Sequence, residues 1–333
     1  MKHVIVTGGT GFVGSYLCES FLEKGYAVTA LDNFITGRKQ NIVGALRNPN
    51  FHFAECDVSK PLPDDLPFLE KYGLAGVLHF ACPASPVDFE KIPFEIMSVE
   101  SLGTMNTVDL ALRYHARYIL ASTSEVYGDP FEHPQKETYF GNVNVNGPRS
   151  CYDEAKRFSE AYVTTATRGQ GNYKGRPYRP LNGGIVRIFN TYGPRMRPDD
   201  GRVVPEFCMQ ALEGRDITIC GDGKQTRSFC YVTDLVDGIV KLYESEVQDP
   251  VNIGNPIERT IREFAEVTLK LANGKSKIIL LDARQDDPRK RCPDITRATT
   301  LLGWSPKVSL EDGLAKTIEY FKKYSQNADR TRT

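Results

Sequence analysis

The sequence predicts an α/β protein, with a doubly wound parallel sheet carrying a smaller C-terminal lobe. Short apolar strands alternate with helical stretches through the first half of the chain. A glycine-rich turn, Thr7-Gly8-Gly9-Thr10-Gly11-Phe12-Val13-Gly14, separates the first strand from the first helix. Further on, Tyr152 and Lys156 stand four residues apart in a helical stretch, so the phenol and the ammonium share one face.

In chain order, His3–Thr7, Ala27–Leu31, Phe51–Glu55, Gly76–Phe80 and Tyr118–Ala121 read as buried parallel strands. Helical patterns fall at Val13–Lys24, Pro93–Tyr114 and roughly Ser150–Thr167. Gly184–Phe189 is the next strand and Pro250–Ile253 a later one. Amphipathic helices, among them Ile261–Leu271 and Leu310–Tyr324, occupy the turn-rich remainder. The first domain therefore runs over residues 1–190 and is completed by about 228–253. Residues 191–227 and 254–333 form the second lobe. Ligands of open α/β sheets bind outside the carboxyl ends of the strands, which puts the site between the two. Residues 168–184 are basic, rich in glycine and proline, and aperiodic. They read as a solvated surface loop on the face opposite the site.

Bulk properties narrow the function. The chain has 333 residues, enough for a large domain or two lobes with substantial cores. Its formal net charge is zero, so no nucleic-acid or anionic-membrane surface is expected. No apolar run approaches the roughly 18–20 residues that span a bilayer. The first strand is expected from His3, and no signal or transit peptide is expected ahead of it. The eight cysteines have no CxxC spacing and the five histidines are isolated, so reduced thiols, a cytoplasmic location and no metal site are expected.

The turn residues Gly8, Gly11 and Gly14 allow a tight bend, bring backbone amides to a pyrophosphate and pack helix on strand. This is the dinucleotide-binding signature of the Rossmann arrangement, with the amides of Phe12 and Val13 opening the helix. Asp32, followed by Asn33, ends the second strand where an acid accepts hydrogen bonds from the adenosine ribose, favouring NAD over NADP. Arg38 is the residue type that accommodates a 2′-phosphate. Asp57-Val58 follows the third strand and either meets the adenine edge or caps a turn.

A positive charge beside a phenol favours phenolate, so Lys156 is expected to draw Tyr152 down from about 10 towards working pH. Together with the dinucleotide turn, this predicts hydride chemistry on a hydroxyl or ketone. Ser122-Thr123-Ser124-Glu125 ends the fifth strand on the catalytic edge. The hydroxyls there hold a substrate oxygen or cap a turn, and Glu125 is an acid, base or electrostatic element. Tyr127 has no lysine four residues later, so Tyr152 is the base. Arg195, Arg227 and Arg291 lie in loop-like settings of the second lobe. Each is a surface charge or part of a set converging on an anionic substrate.

With these residues in place, the chain resembles the extended short-chain dehydrogenase/reductase superfamily, and within it the UDP-glucuronate decarboxylase (UDP-xylose synthase) family. The likeness runs from about Lys2 to Phe321, interrupted mainly by the basic insertion. It rests on several segments: Pro83-Ala84-Ser85-Pro86, Ser122 to Pro130, Gly147-Pro148-Arg149 with Cys151-Tyr152-Asp153-Glu154, Arg187 to Arg195, Asp200-Gly201-Arg202-Val203-Val204, and Asp286-Asp287-Pro288 through Arg291-Cys292-Pro293-Asp294-Ile295.

The resemblance implies a retained NAD and a redox-neutral cycle. Tyr152 with Lys156 would remove the sugar's 4-hydroxyl proton as hydride leaves C4. The 4-ketone, β to the C6 carboxylate, would then accept electrons as CO2 departs, and reprotonation and re-reduction would give UDP-xylose. By the same carry-over, Thr123 holds the 4-hydroxyl, Glu125 acts at the C5/C6 end, and Ser124 is a further catalytic residue beside them. Arg291 stands near the carboxylate or in the C5 proton relay. Pro86, Asn190, Arg195, Val204 and Arg227 line the UDP-sugar site, Asn190 and Arg227 at the diphosphate. A homodimer through the Tyr152 helix and the Pro93–Tyr114 helix is expected by analogy.

The chain departs from these relatives at Glu100, where they usually carry asparagine, and at Cys82, where serine is usual. Other readings are a UDP-glucuronate 4-epimerase, a dTDP-glucose 4,6-dehydratase, whose motif has aspartate where Ser124 stands, and a non-catalytic NAD-binding regulator. Ser124-Glu125 favours decarboxylation over the first two, and the intact Tyr152/Lys156 pair argues against the third.

Overall fold

The computed structural model describes residues 1–282 and 290–330. Five strands form the first half of the chain: β1 (His3–Thr7), β2 (Ala27–Asp32), β3 (Phe51–Glu55), β4 (Gly76–His79) and β5 (Arg117–Thr123). They are joined by β6 (Asn182–Ile188) and by the Val251–Ile253 strand. All pair in parallel, in the order β3-β2-β1-β4-β5-β6 and then Val251–Ile253. The chain thus winds outward from β1 in one direction and returns from β4 in the other, a Rossmann-like sheet as the alternation predicts. The order reverses between β1 and β4, so the crevice at their carboxyl ends is where a dinucleotide fits.

Helices cover both faces of the sheet. Helix α1 (Phe12–Glu23) seats Leu17, Cys18 and Phe21 in the core, and Phe21 meets Tyr243 of the Val232–Glu244 helix edge-on at 4.9 Å. From there the same apolar cluster continues into the smaller lobe through Phe207, Phe229 and Phe264, the last two at 4.3 Å. That lobe is therefore seated on the sheet by shared apolar surface. Its strands are short: Thr226–Ser228 lies between Glu258–Thr260 and Lys290–Arg291, and Ile217–Cys220 pairs with Ile278–Leu281.

Two elements differ from expectation. The pattern over Pro93–Tyr114 is realised as Pro93–Ser98, a π-helical turn at Val99–Gly103, and Thr104–Tyr114. One extra residue in that turn swings Glu100 inward, where it is 1% exposed and Ser159 Oγ donates to its carbonyl at 2.7 Å. The basic insertion is shorter as a loop than its composition suggests, because Arg168 closes the Ser150–Arg168 helix and Asn182–Gly184 open β6. Gly183 and Gly184 make this possible: side chains there would collide with Thr167 and Arg117. The loop does lie at the end of the sheet away from the site. The Asp286-Asp287-Pro288 motif and Arg289 lie outside the described residues.

Candidate active site

A single cavity of about 570 Å³ runs from the Gly8–Gly14 turn, under β4 and β5, to the strands of the smaller lobe. Gly8 sits at φ +68°, and a Cβ there would lie 2.6 Å from the Phe80 carbonyl oxygen, so only glycine lets β1 turn against the end of β4. A Cβ on Gly14 would collide with the Gly8 carbonyl oxygen. Gly11 caps α1 without a side-chain hydrogen bond, and the first turn carries no acid. The Gly11 amide closes the turn on the Gly8 carbonyl at 3.0 Å, and the Phe12, Val13 and Gly14 amide edge faces the cavity as a ready anion cradle.

Asp32 anchors the neighbouring wall. Its carboxylate accepts the Thr10 amide at 3.0 Å and the Phe34 amide at 2.9 Å, with lone pairs left for a ribose. Asn33 is exposed and turns its own chain by accepting from Ile35. Asp57 accepts from the Ser59 amide at 3.0 Å and the Ser59 hydroxyl at 2.7 Å, so it caps a turn while it and Val58 line the cavity. Arg38 Nη2 donates to the Met196 carbonyl at 2.9 Å. These residues fit an adenine dinucleotide: an anion cradle, a ribose acceptor and a cleft at the sheet's crossover point.

The Ser150–Arg168 helix carries the chemistry. Tyr152 is buried and stacked on Phe89 at 4.8 Å, and Lys156 Nζ lies 5.8 Å from its ring centroid. Lys156 also donates to the Ala121 carbonyl at 2.7 Å and pairs with Glu100 Oε1 at 2.6 Å. The expected depression of the phenol is corrected here. Burial pushes Tyr152 above its usual range, and Lys156, facing Glu100 as well, offsets only part of that. Thr123 ends β5 beside the phenol and accepts the Glu125 amide at 3.2 Å, so its hydroxyl caps the Ser124–Tyr127 turn as well as facing the cavity.

A second charged group forms about Glu125. Arg291 Nη1 lies 2.9 Å from Glu125 Oε1 and donates to Ser124 Oγ at 2.9 Å, and Nη2 donates to the Gly128 carbonyl at 3.1 Å. Arg149 Nη2 donates to Glu125 Oε2 at 2.8 Å. Burial would raise the Glu125 carboxyl, but the two guanidiniums prevail and hold it at about 2. Nearby, burial and the Glu125 charge push Asp153 up to about 7. Arg149 was not singled out as a functional residue from the sequence, although its spacing, three residues before Tyr152, places it on the same helix face.

The proposed substrate residues Pro86, Asn190, Val204 and Arg227 all line the cavity, and Arg227 sits opposite Arg291 on the adjacent strand. Arg195 also reaches the wall. Its Nη2, however, donates to both oxygens of Glu19 at 2.8 Å, its Nη1 to the Ser15 hydroxyl at 3.1 Å, and its plane covers Tyr16, so it locks the smaller lobe to α1. Among the described residues no His, Cys, Asp or Glu cluster could hold a metal, and no helix is long and apolar enough to cross a membrane.

The family model described as NAD dependent epimerase/dehydratase matches residues 4–254. This chain belongs to the NAD dependent epimerase/dehydratase family. Within it, the chain is 46% identical over 322 residues to UDP-glucuronic acid decarboxylase 1 of Xenopus tropicalis, covering 97% of this chain and 72% of that one. It is 48% identical over 319 residues to UDP-glucuronic acid decarboxylase 4 of Arabidopsis thaliana, covering 96% and 68%. Among solved structures it is similar to the UDP-glucuronic acid 4-epimerase of Bacillus cereus in complex with UDP-glucuronic acid and NAD. That match has TM-score 0.83 and 28% identity, with 97% and 99% of the chains covered. The UDP-glucose 4-epimerase of Thermotoga maritima gives TM-score 0.85 and 29% identity, over 97% and 99%. The family likeness read from the motifs thus extends over nearly the whole chain.

Proposed function

We propose that this protein is a UDP-glucuronate decarboxylase that uses retained NAD and yields UDP-xylose. One observation carries the reading. The Tyr152/Lys156 pair and the Ser124/Glu125/Arg291 group open on one cavity, so an acid–base pair and a carboxylate-handling group can address neighbouring carbons of one sugar. The names of the relatives point the same way.

NAD bound at the Gly8–Gly14 turn and Asp32 supplies a hydride acceptor at the sugar's C4 and later a donor. Tyr152, assisted by Lys156, takes the 4-hydroxyl proton while Thr123 holds that oxygen. The C5–C6 electron pair then flows towards the 4-ketone and CO2 leaves. Loss of CO2 is easiest when its carboxylate is not clamped by a strong ion pair. Arg291 meets that need because its charge already faces Glu125. Glu125, held ionised, acts as an electrostatic element, with Arg291 and Ser124 at the C5 end where the proton returns. Asn190, Val204, Pro86 and Arg227 hold the UDP portion, and Arg195 shapes that wall from Glu19.

Residues 1–190 with about 228–253 form the NAD-binding part, and 191–227 with 254–333 the UDP-sugar part. Exposed Phe94, Met97, Leu102 and Phe158 on the two helices named above support a homodimer through those faces. Eight free thiols suit the cytoplasm.

The deciding experiment incubates the protein with UDP-glucuronate labelled with carbon-13 at C6, without added NAD, and follows it by NMR. Labelled CO2 with UDP-xylose is expected. UDP-galacturonate with the label intact would make the enzyme a 4-epimerase. No turnover even after NAD is added would remove the substrate assignment.

A further inference from the structure

Glu100, which the resemblance marks as a departure from the usual asparagine, meets the catalytic lysine. Glu100 Oε1 faces Lys156 Nζ at 2.6 Å. Its Oε2 accepts the Ser159 hydroxyl at 2.8 Å, and Ser159 in turn accepts from Thr104 at 3.1 Å. The Cys82 thiol donates to the Pro83 carbonyl at 3.3 Å, and burial together with the Glu100 charge disfavours its ionisation. The π-helical turn at Val99–Gly103 is what aims Glu100 inward; α-helical continuation would change its direction.

We propose that Glu100 is a positioning residue for the Tyr152/Lys156 pair: its carboxylate fixes the Lys156 ammonium and cancels its charge towards Tyr152. The inference deepens the decarboxylase reading and rests on it for the identity of the reaction.

Charge parity in a buried site gives the consequence. With Lys156 positive and Glu100 negative, the site is neutral while Tyr152 is protonated, and losing the phenolic proton leaves one uncompensated negative charge. With a neutral residue at position 100 the same loss takes the site from positive to neutral. Burial penalises the first change and favours the second. Glu100 therefore sets the pH at which the pair becomes a competent base, and sets it high.

The other groups around the site do not replace this control. His79 on β4 faces Glu100, but burial lowers it to about 4, and its Nδ1 is bonded to Thr7 at 2.8 Å, so it is neutral over the working range. Tyr118 on β5 lies in the same surroundings, and burial raises it beyond that range. Arg202, which faces Tyr152 from the smaller lobe, is bound to Asp200 at 2.5 Å. Thr123 and Cys82 complete the ring of groups about the phenol.

The test measures kcat/KM for UDP-glucuronate against pH in the holoenzyme for wild type, Glu100→Gln, Glu100→Asp and the double variant Glu100→Asn/Cys82→Ser. Tyrosinate absorbance of each protein is titrated in parallel, with Tyr152→Phe as reference. The acid limb should move down by about one pH unit or more in the two neutral variants, with the tyrosinate signal following and KM changing little. Glu100→Asp should keep the limb near its wild-type position. The double variant carries the pair usual in relatives and stands in if Glu100→Gln does not fold. An unmoved acid limb and tyrosinate signal in a folded neutral variant would overturn the proposal. If wild type does not turn over UDP-glucuronate, the reaction assignment fails, and the tyrosinate titration still decides the role of Glu100.

Discussion

Arg291 reaches across from the smaller lobe to place its Nη1 2.9 Å from Glu125 Oε1, at the end of the sheet's fifth strand. This pair ties the lobes together at the point where the sugar's carboxylate end is proposed to lie. Arg291→Ala should lower decarboxylation by about 10²–10³-fold, the range for removing a preorganised charged donor. It should cost about 2–3 kcal/mol of stability, less than a fully orphaned buried charge, because Arg149 still faces Glu125. CO2 release and urea unfolding measure the two effects, and unimpaired CO2 release would remove Arg291 from the mechanism. Glu125 has a folded value of about 2 against 4.5 unfolded, so its contribution is fully present above 4.5 and is lost as pH falls towards 2. The stability gap between wild type and Glu125→Gln should therefore close as pH falls from about 4.5 towards 2, and be flat only above about pH 7, where Asp153 is ionised as well.

The glycines of the first turn separate by what a methyl group would meet. On Gly14 it strikes the Gly8 carbonyl, so Gly14→Ala should destabilise the fold by about 3 kcal/mol, the upper end of overpacking costs. On Gly11 its only close neighbour is the Gly8 oxygen at 3.1 Å, and the backbone there is extended at φ −72°. Gly11→Ala should thus change stability by less than about 1 kcal/mol. It should nonetheless reduce the NAD that copurifies, because the methyl group stands on the amide edge. Thermal unfolding and NAD released on denaturation read the two separately.

Tyr152→Phe keeps the ring against Phe89 and removes only the hydroxyl. Turnover should fall by about 10²–10⁴-fold, the contribution of a positioned acid–base group, with the unfolding transition in place. Turnover within about tenfold of wild type would mean that another group carries the proton.

How far the sequence could be read follows from where each interaction is encoded. The strands were legible because apolar runs report burial, and Tyr152 with Lys156 because i and i+4 spacing fixes a shared face. Ion-pair partners were not. Arg195 meets Glu19 across 176 residues and Arg291 meets Glu125 across 166, and no local pattern encodes such distances. Glu100 was recognised as a departure from its relatives, but its target was hidden by the π-helical turn, which breaks the period used to assign a helix face.

Asp153 is the group most exposed to pH at the site. It lies on the helix between Tyr152 and Lys156, its Oδ1 is buried with no hydrogen-bond partner among the described residues, and Arg149 Nε is 3.9 Å from Oδ2. Burial and the adjacent Glu125 charge raise its carboxyl from 3.8 to about 7. Between those values the folded protein binds a proton that the unfolded chain has lost, so stability falls as pH rises through that window. This is opposite in sign to Glu125, whose carboxyl is lowered. Asp153→Asn replaces the acid with a group that stays neutral and can donate. Relative to wild type it should lose its stability disadvantage, or gain an advantage, as pH rises from about 4 to 8. Urea midpoints taken across that range test this. A difference independent of pH would mean that Asp153 is ionised at its ordinary value and that Arg149, although 3.9 Å away, compensates it fully.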